Sequence, residues 1–416
     1  MSQVHLDPYL PRYADRTRGM TASEIRALFS VANRPEVVSL AGGMPDTTAL
    51  DYDAVAAVLD EVARTRGPAA LQYGGGQGLT ALRERLVEVM AAEDVPAHAD
   101  DLVVTTGGQQ GLDLLAKLFC DPGDVVIAEG PSYVGALSAF SAYQAEVRHV
   151  TMDAEGLVPA AVEDVLARLR AEGRRAKFLY TVPNHQNPAG VSLSTPRRER
   201  LVEIAERHDL LLVEDNPYGL LDFKDEIRPS LTALAPDRVC YVGTLSKIFS
   251  PGIRIGWVAA DGPVRDKLVL LKEASDLCQS NLTQHVAERW LATQPWRAQV
   301  DEFRELYRSR CQALLDEMAA EMPASCAWSD PTGGMFVWVR IPEPLDSREL
   351  LAKALSARVA YVPGGGFYAD GAGGQELRLC FSFAAADRLR EGIRRLAEVL
   401  DEELELVRAV YGETSR

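Results

Sequence analysis

The stretch Asp101-Leu-Val-Val-Thr-Thr-Gly-Gly-Gln-Gln-Gly-Leu-Asp-Leu-Leu-Ala-Lys-Leu-Phe-Cys120 joins an apolar, β-branched run to a helical pattern through a glycine-rich turn. Asp101 to Thr106 reads as a strand. From Gln109 to Cys120 the leucines at 112, 114, 115 and 118 keep helical spacing until Asp121-Pro-Gly123 stops them. The same unit recurs downstream. Strand-like runs lie at Val125 to Ala128, Glu146 to Val150, Lys177 to Val182, Leu210 to Glu214, Val239 to Gly243 and Arg254 to Ala259, with helices at Tyr133 to Tyr143, Pro159 to Glu172 and Pro196 to His208. Short strands alternating with helices of this length imply βαβ units, hence an α/β fold with a mostly parallel, seven-stranded sheet covered by helices. In such sheets ligands collect outside the carboxyl ends of the strands.

After about residue 261 the pattern changes to long helices, Pro263 to Ala292 and Trp296 to Glu321, followed by short extended runs (Met335 to Ile341, Ala360 to Pro363, Glu376 to Ser382) and a terminal helix. That describes a smaller α+β domain. The first 45 residues hold one amphipathic helix, Thr21 to Phe29, and a turn-rich link, an arm that joins the small domain. The expected division is therefore 1–45 (arm), 46–292 (large domain) and 293–416 (small domain).

With 416 residues the chain has an ample core without disulfide or metal staples. The six cysteines show no C-x-x-C pair, so neither a disulfide framework nor a metal site is expected. A net charge of −16 argues against nucleic acid or an anionic membrane as partner. No apolar run approaches a membrane span and the start is polar, which points to a cytoplasmic protein. Only seven of the 44 basic residues are lysine. Against that background a lysine in an unusual setting marks chemistry that arginine cannot do.

Lys247 is such a lysine, in Tyr241-Val-Gly-Thr-Leu-Ser-Lys-Ile-Phe-Ser250 directly after a strand. Apolar neighbours lower an amine's pKa and free it for Schiff-base chemistry, although a snorkelling surface lysine fits the segment equally. Asp215 ends the strand Leu210-Leu-Leu-Val-Glu-Asp-Asn-Pro-Tyr218, where a carboxylate can keep a ring nitrogen protonated or merely cap a turn. Glu214 alternates to the other face and is the weaker candidate. Asn187, in the loop Pro183-Asn-His-Gln-Asn-Pro-Ala-Gly190, is compatible with plain turn chemistry, and His185 reads as a loop residue without a dyad partner. The Thr106-to-Gly111 turn opens a helix and can cradle a phosphate. Gly76-Gln-Gly-Leu-Thr-Ala81 matches a dinucleotide fingerprint but lacks the preceding buried strand and the following acid, so it is set aside. Arg254 can pair with a phosphate and Arg378 can fork onto a carboxylate, or each can sit in a salt bridge.

In order, Tyr73 with Gly78 and Leu82-Arg83, Gly107-Gly-Gln-Gln110, Pro131-Ser-Tyr133, Asn187-Pro-Ala-Gly190, Asp215-Asn-Pro-Tyr218, Ser246-Lys247, Arg254 and Arg378 resemble the class I/II aminotransferases of the aspartate aminotransferase superfamily. The chain is most similar to the branch of 2-aminoadipate, kynurenine and related multi-substrate enzymes, from about Thr21 to the end. The resemblance implies fold type I, pyridoxal 5′-phosphate as cofactor, and ping-pong transfer of an amino group from an L-α-amino acid to a 2-oxo acid, 2-oxoglutarate or pyruvate. It makes Lys247 the covalent anchor and proton-moving base, Asp215 the partner of the ring nitrogen, Tyr218 and Asn187 the partners of the ring hydroxyl, and Tyr133 the stacking ring. Gly108, Gln109, Thr244 or Ser246, and Arg254 would hold the phosphate. Tyr73 would reach the neighbouring subunit's phosphate, which implies a homodimer. Arg378 would clamp the substrate α-carboxylate, with Gly43 lining the pocket and Arg26 on the arm helix facing the side chain. Gly108 stands where relatives often have Ser, and Ala189 and Thr244 replace the commoner Thr and Ser. The alternatives are a β-lyase, decarboxylase, or oxidase or cyclase on the same scaffold, which would keep Lys247 and Asp215. A regulator with a DNA-binding module needs roughly 70 further residues ahead of the arm, and a dehydrogenase rests on the Gly76 motif alone.

Overall fold

A computed structural model describes residues 7–18, 20 and 34–412. Its large sheet contains β1 (Leu102–Thr106), β2 (Val125–Gly130), β3 (Glu146–Asp153), β4 (Gly156–Leu157), β5 (Ala176–Thr181), β6 (Leu211–Asp215), β7 (Val239–Thr244) and β8 (Ile255–Ala259). They lie in the order β1-β8-β7-β6-β5-β2-β3-β4. The central strands β7, β6, β5, β2 and β3 run parallel, and β8 is antiparallel to both β1 and β7. The eighth strand, beyond the seven expected, is β4: two residues at Gly156–Leu157 that turn back along β3, too short to leave a pattern in the sequence.

Alternation along the strands divides the core. Val126, Ala128, Phe178, Tyr180, Val213 and Val242 face one cluster, while Val125, Ile127, Leu179, Leu212 and Val239 face the other, beneath helices Pro159–Ala171 and Thr195–His208. Helix Gly108–Phe119 packs on β8, β1 and β7. Both faces are therefore covered, as continuous apolar strands require.

The stretch expected as one helix from Pro263 to Ala292 is two, Gly262–Asp276 and Asn281–Thr293. Leu277 turns left-handed at φ 65°, and the Ser280 side chain caps the second helix by accepting from the Thr283 amide. Both segments carry apolar residues, so hydrophobic spacing runs through the break unaltered. A second sheet, Ala327–Trp328, Phe336–Arg340, Glu376–Cys380 and Val362–Pro363, is antiparallel. Helices Trp296–Glu321 and Ala386–Tyr411 pack on one another. Val38–Ser39 pairs in parallel with Val359–Ala360. The expected arm helix Thr21 to Phe29, with Arg26, lies outside the described residues. Among the described residues no helix is long and apolar enough to cross a membrane.

Candidate active site

At the carboxyl ends of β5, β6 and β7 the chain encloses a cavity of about 590 Å³. Lys247, Asp215, Tyr218, Gly108, Gln109, Tyr133, Asn187, Thr244, Ser246, Arg254, Gly43 and Arg378 all line it. These residues come from segments more than 300 positions apart in the chain, which is what strand ends and following loops achieve in this architecture.

Asp215 ends β6 on the face shared by Tyr180, whose hydroxyl donates to its Oδ2 at 2.8 Å. Burial raises the Asp215 pKa to about 7, the Tyr180 bond opposing that rise. A carboxylate so poorly solvated favours a protonated ring nitrogen as counter-ion. Tyr180 escapes sequence reading because it looks like one more buried strand residue, 35 positions from its partner. Glu214, on the opposite face, accepts from the Leu231 and Thr232 amides and the Thr232 hydroxyl, and so caps a short helix.

Lys247 follows β7 and is flanked by the buried Leu245, Ile248 and Phe249. Its Nζ donates to the Gly43 carbonyl at 2.8 Å. Desolvation lowers its pKa to about 8, so near neutrality a useful fraction is a free amine. Arg378 is 3% exposed and has no acidic partner among the described residues. Its Nη1 donates to Asn187 Oδ1 at 2.9 Å, Nη2 donates to Ala41 O at 3.1 Å, and the guanidinium lies over the Phe336 ring at 4.2 Å. Nε has no partner among the described residues. A buried cation paired only with dipoles and a ring is set up for an anionic ligand. Asn187 Nδ2 in turn donates to the Tyr218 hydroxyl at 3.4 Å.

The Gly107 turn is built for close approach. Gly107 has φ 77°, and a Cβ there would stand 2.6 Å from Arg254 Nη2, which donates to Thr106 O at 2.9 Å. At Gly108 a Cβ would meet nothing nearer than Val242 Cγ1 at 3.6 Å. A small side chain at position 108 is therefore accommodated without a clash. Gly108→Ser is expected to tighten cofactor binding about tenfold by adding one charge-assisted hydrogen bond, about 1.5 kcal/mol. Titration of the apoenzyme with cofactor checks this.

Tyr133 leads into helix Val134–Ala142, and Gln109 Nε2 donates to Gly135 O at 2.8 Å. Thr244 Oγ1 bonds Ser246 Oγ at 2.9 Å. Tyr73 is not brought to the cavity: it is 78% exposed on a surface loop. His185 is buried elsewhere, with Nε2 at 3.4 Å from Asp222 Oδ2. Gly78, at φ 100°, lets its loop lie against Val104 of β1.

The cavity, the glycine turn that a side chain would fill, the amine at Lys247 and the buried Arg378, without an acidic partner among the described residues, fit an anionic aldehyde cofactor and an amino-acid substrate. Residues 35–396 match the family described as aminotransferase class I and II. The chain belongs to that family. It is 39% identical over 398 residues to "Aromatic-amino-acid aminotransferase 1" of Thermococcus litoralis, covering 95% of each chain. It is 36% identical to "2-aminoadipate transaminase" of Thermus thermophilus, covering 93% of this chain and 96% of that one. A Pyrococcus horikoshii kynurenine aminotransferase solved with PMP superposes with a TM-score of 0.91 at 37% identity, over 95% of this chain and 98% of that one. The protein is thus a fold type I aminotransferase that uses pyridoxal phosphate, and these relatives do not favour a β-lyase, decarboxylase, oxidase or cyclase.

Proposed function

We propose that Lys247 anchors the cofactor and moves the substrate proton, that Asp215 holds the ring nitrogen protonated, and that Arg378 grips the substrate α-carboxylate. The observation that carries these assignments is one cavity in which an amine of lowered pKa, a buried carboxylate and a buried guanidinium without an acidic partner among the described residues meet. Bound pyridoxal phosphate supplies an electron sink for the pair left when a bond at the substrate Cα breaks. The chain decides which bond that is. Arg378 and Asn187 would fix the α-carboxylate so that the Cα–H bond faces Lys247, whose Nζ would take up and return the proton. Tyr218 and Asn187 would hold the ring hydroxyl, Tyr133 would pack against the ring, and Gly108, Gln109, Thr244 or Ser246, and Arg254 would hold the phosphate.

Amino acids with long apolar or aromatic side chains suit a cavity lined by Met44, Val134 and Phe336, and the name of the Thermococcus litoralis relative points the same way. The acceptor is 2-oxoglutarate or pyruvate. Exposed Leu71 and Tyr73 on one loop, with exposed Leu270 and Leu277, support a homodimer in which Tyr73 reaches the partner's phosphate. A cytoplasmic setting suits six unpaired cysteines. Residues 46–292 form the large domain and 293–416 the small one, with 1–45 as the arm.

The test is a pair of half-reactions. The yellow holoenzyme, given single amino acids, should turn to its pyridoxamine form and return on addition of 2-oxoglutarate. Release of ammonia or carbon dioxide without amine transfer would contradict the assignment. Arg378→Lys should raise the amino-acid KM at least tenfold with a smaller effect on kcat, because an ammonium cannot present two parallel donors to a carboxylate. Steady-state kinetics with the best amino acid measures it.

A further inference from the structure

A second lysine is unusual. Lys272 is 0% exposed, one turn beyond the buried Leu268 on helix Gly262–Asp276, and no motif surrounds it. Its Nζ donates to Asp276 Oδ1 at 2.8 Å. An i,i+4 pair of this kind ordinarily lies at the surface, where the ammonium snorkels into water. Here the ammonium is enclosed, and the Asp276 side chain, 27% exposed, turns inward.

The other Asp276 oxygen accepts from Gln110 Nε2 at 2.7 Å and lies 3.5 Å from Thr106 Oγ1. Gln110 Oε1 accepts the Thr106 amide at 2.7 Å, and the Thr106 hydroxyl also meets Gln279 Oε1. Gln279 Nε2 donates to Arg254 O at 2.8 Å, and Arg254 Nη2 closes the ring on Thr106 O. Asp276 thus ties together the strand end before the Gly107 turn, the first helical turn after it, and the loop that carries Arg254. That places a carboxylate directly behind the groups assigned to the cofactor phosphate. Without a counter-charge it would repel a phosphate dianion.

We propose that Lys272 and Asp276 are positioning residues for the phosphate site, Asp276 fixing the turn and Lys272 cancelling the charge that this costs. The proposal rests on the assignment of Arg254 and the Gly107 turn to the phosphate.

The test measures binding of pyridoxal phosphate, and of pyridoxal lacking the phosphate, to apoenzyme by absorbance titration, with the melting temperature of each apo variant. Lys272→Met is expected to weaken pyridoxal phosphate at least tenfold and to leave pyridoxal within about threefold of the parent. Adding Asp276→Asn should restore pyridoxal phosphate to within about threefold, since the offending charge is then gone. If Lys272→Met does not fold, Lys272→Gln, which can still donate to Asp276, carries the same expectation. Unchanged pyridoxal phosphate affinity, equal weakening of both ligands, or a double variant as weak as the single one would overturn the proposal. Parent-like binding of pyridoxal phosphate by Arg254→Ala would instead overturn the phosphate assignment beneath it, and the proposal with it.

Discussion

Lys247→Ala is expected to abolish amine transfer, with kcat falling at least about 10³-fold, the upper range for removing a positioned acid–base group. The loss follows from placement. Lys247 alone among the seven lysines lines the cavity, and its amine is held by Gly43 O among apolar neighbours. Lys247→Arg should be as inactive, because a guanidinium stays protonated and cannot serve as the base. Circular dichroism should show Lys247→Ala folded, since removing an ammonium from an apolar setting relieves a desolvation penalty. The parent apoenzyme should take up cofactor faster as pH climbs through about 8, where Lys247 becomes neutral, and level off above. Parent-like transfer by Lys247→Ala, measured with 2-oxoglutarate as acceptor, would place the chemistry elsewhere.

Asp215→Asn should lower kcat by about 10²- to 10³-fold, the size expected when a preorganised charge opposite a developing one is removed. Asparagine keeps the shape and can still accept from Tyr180, so packing around β6 survives. What disappears is the negative charge proposed to hold a proton on the ring nitrogen. Tyr180→Phe should cost much less, about tenfold, because it removes only a hydrogen bond to that charge. A kinetic series of the three proteins, at cofactor concentrations that saturate each, separates loss of the charge from loss of the cofactor.

Much of this was legible in the sequence for specific physical reasons. Strands β1, β2 and β5 to β8 are buried on both faces and so appear as continuous apolar runs, and Lys247, Asp215 and Asn187 announce themselves by interrupting the chain just past such runs. Pairings across long separations leave no such trace. Tyr180 reads as core until Asp215 is set beside it, and Lys272 reads as a surface lysine until its helix is packed on Gly108–Phe119. One signal was available for Lys272, its position four residues after Leu268 on the apolar stripe. The break at Leu277 was hidden because a left-handed leucine has no sequence signature, unlike a glycine at the same angle. Tyr73 shows the converse. Its motif is clear in the sequence, yet the chain leaves it 78% exposed and away from the cavity.

The central claim is that one lysine of seven, Lys247, carries the cofactor. Borohydride reduction of the holoenzyme, followed by peptide mass mapping, fixes the cofactor to whichever amine holds it. The expected label lies on the peptide containing Lys247 and nowhere else; a label on any other lysine, or no label on a yellow, active enzyme, would contradict the account.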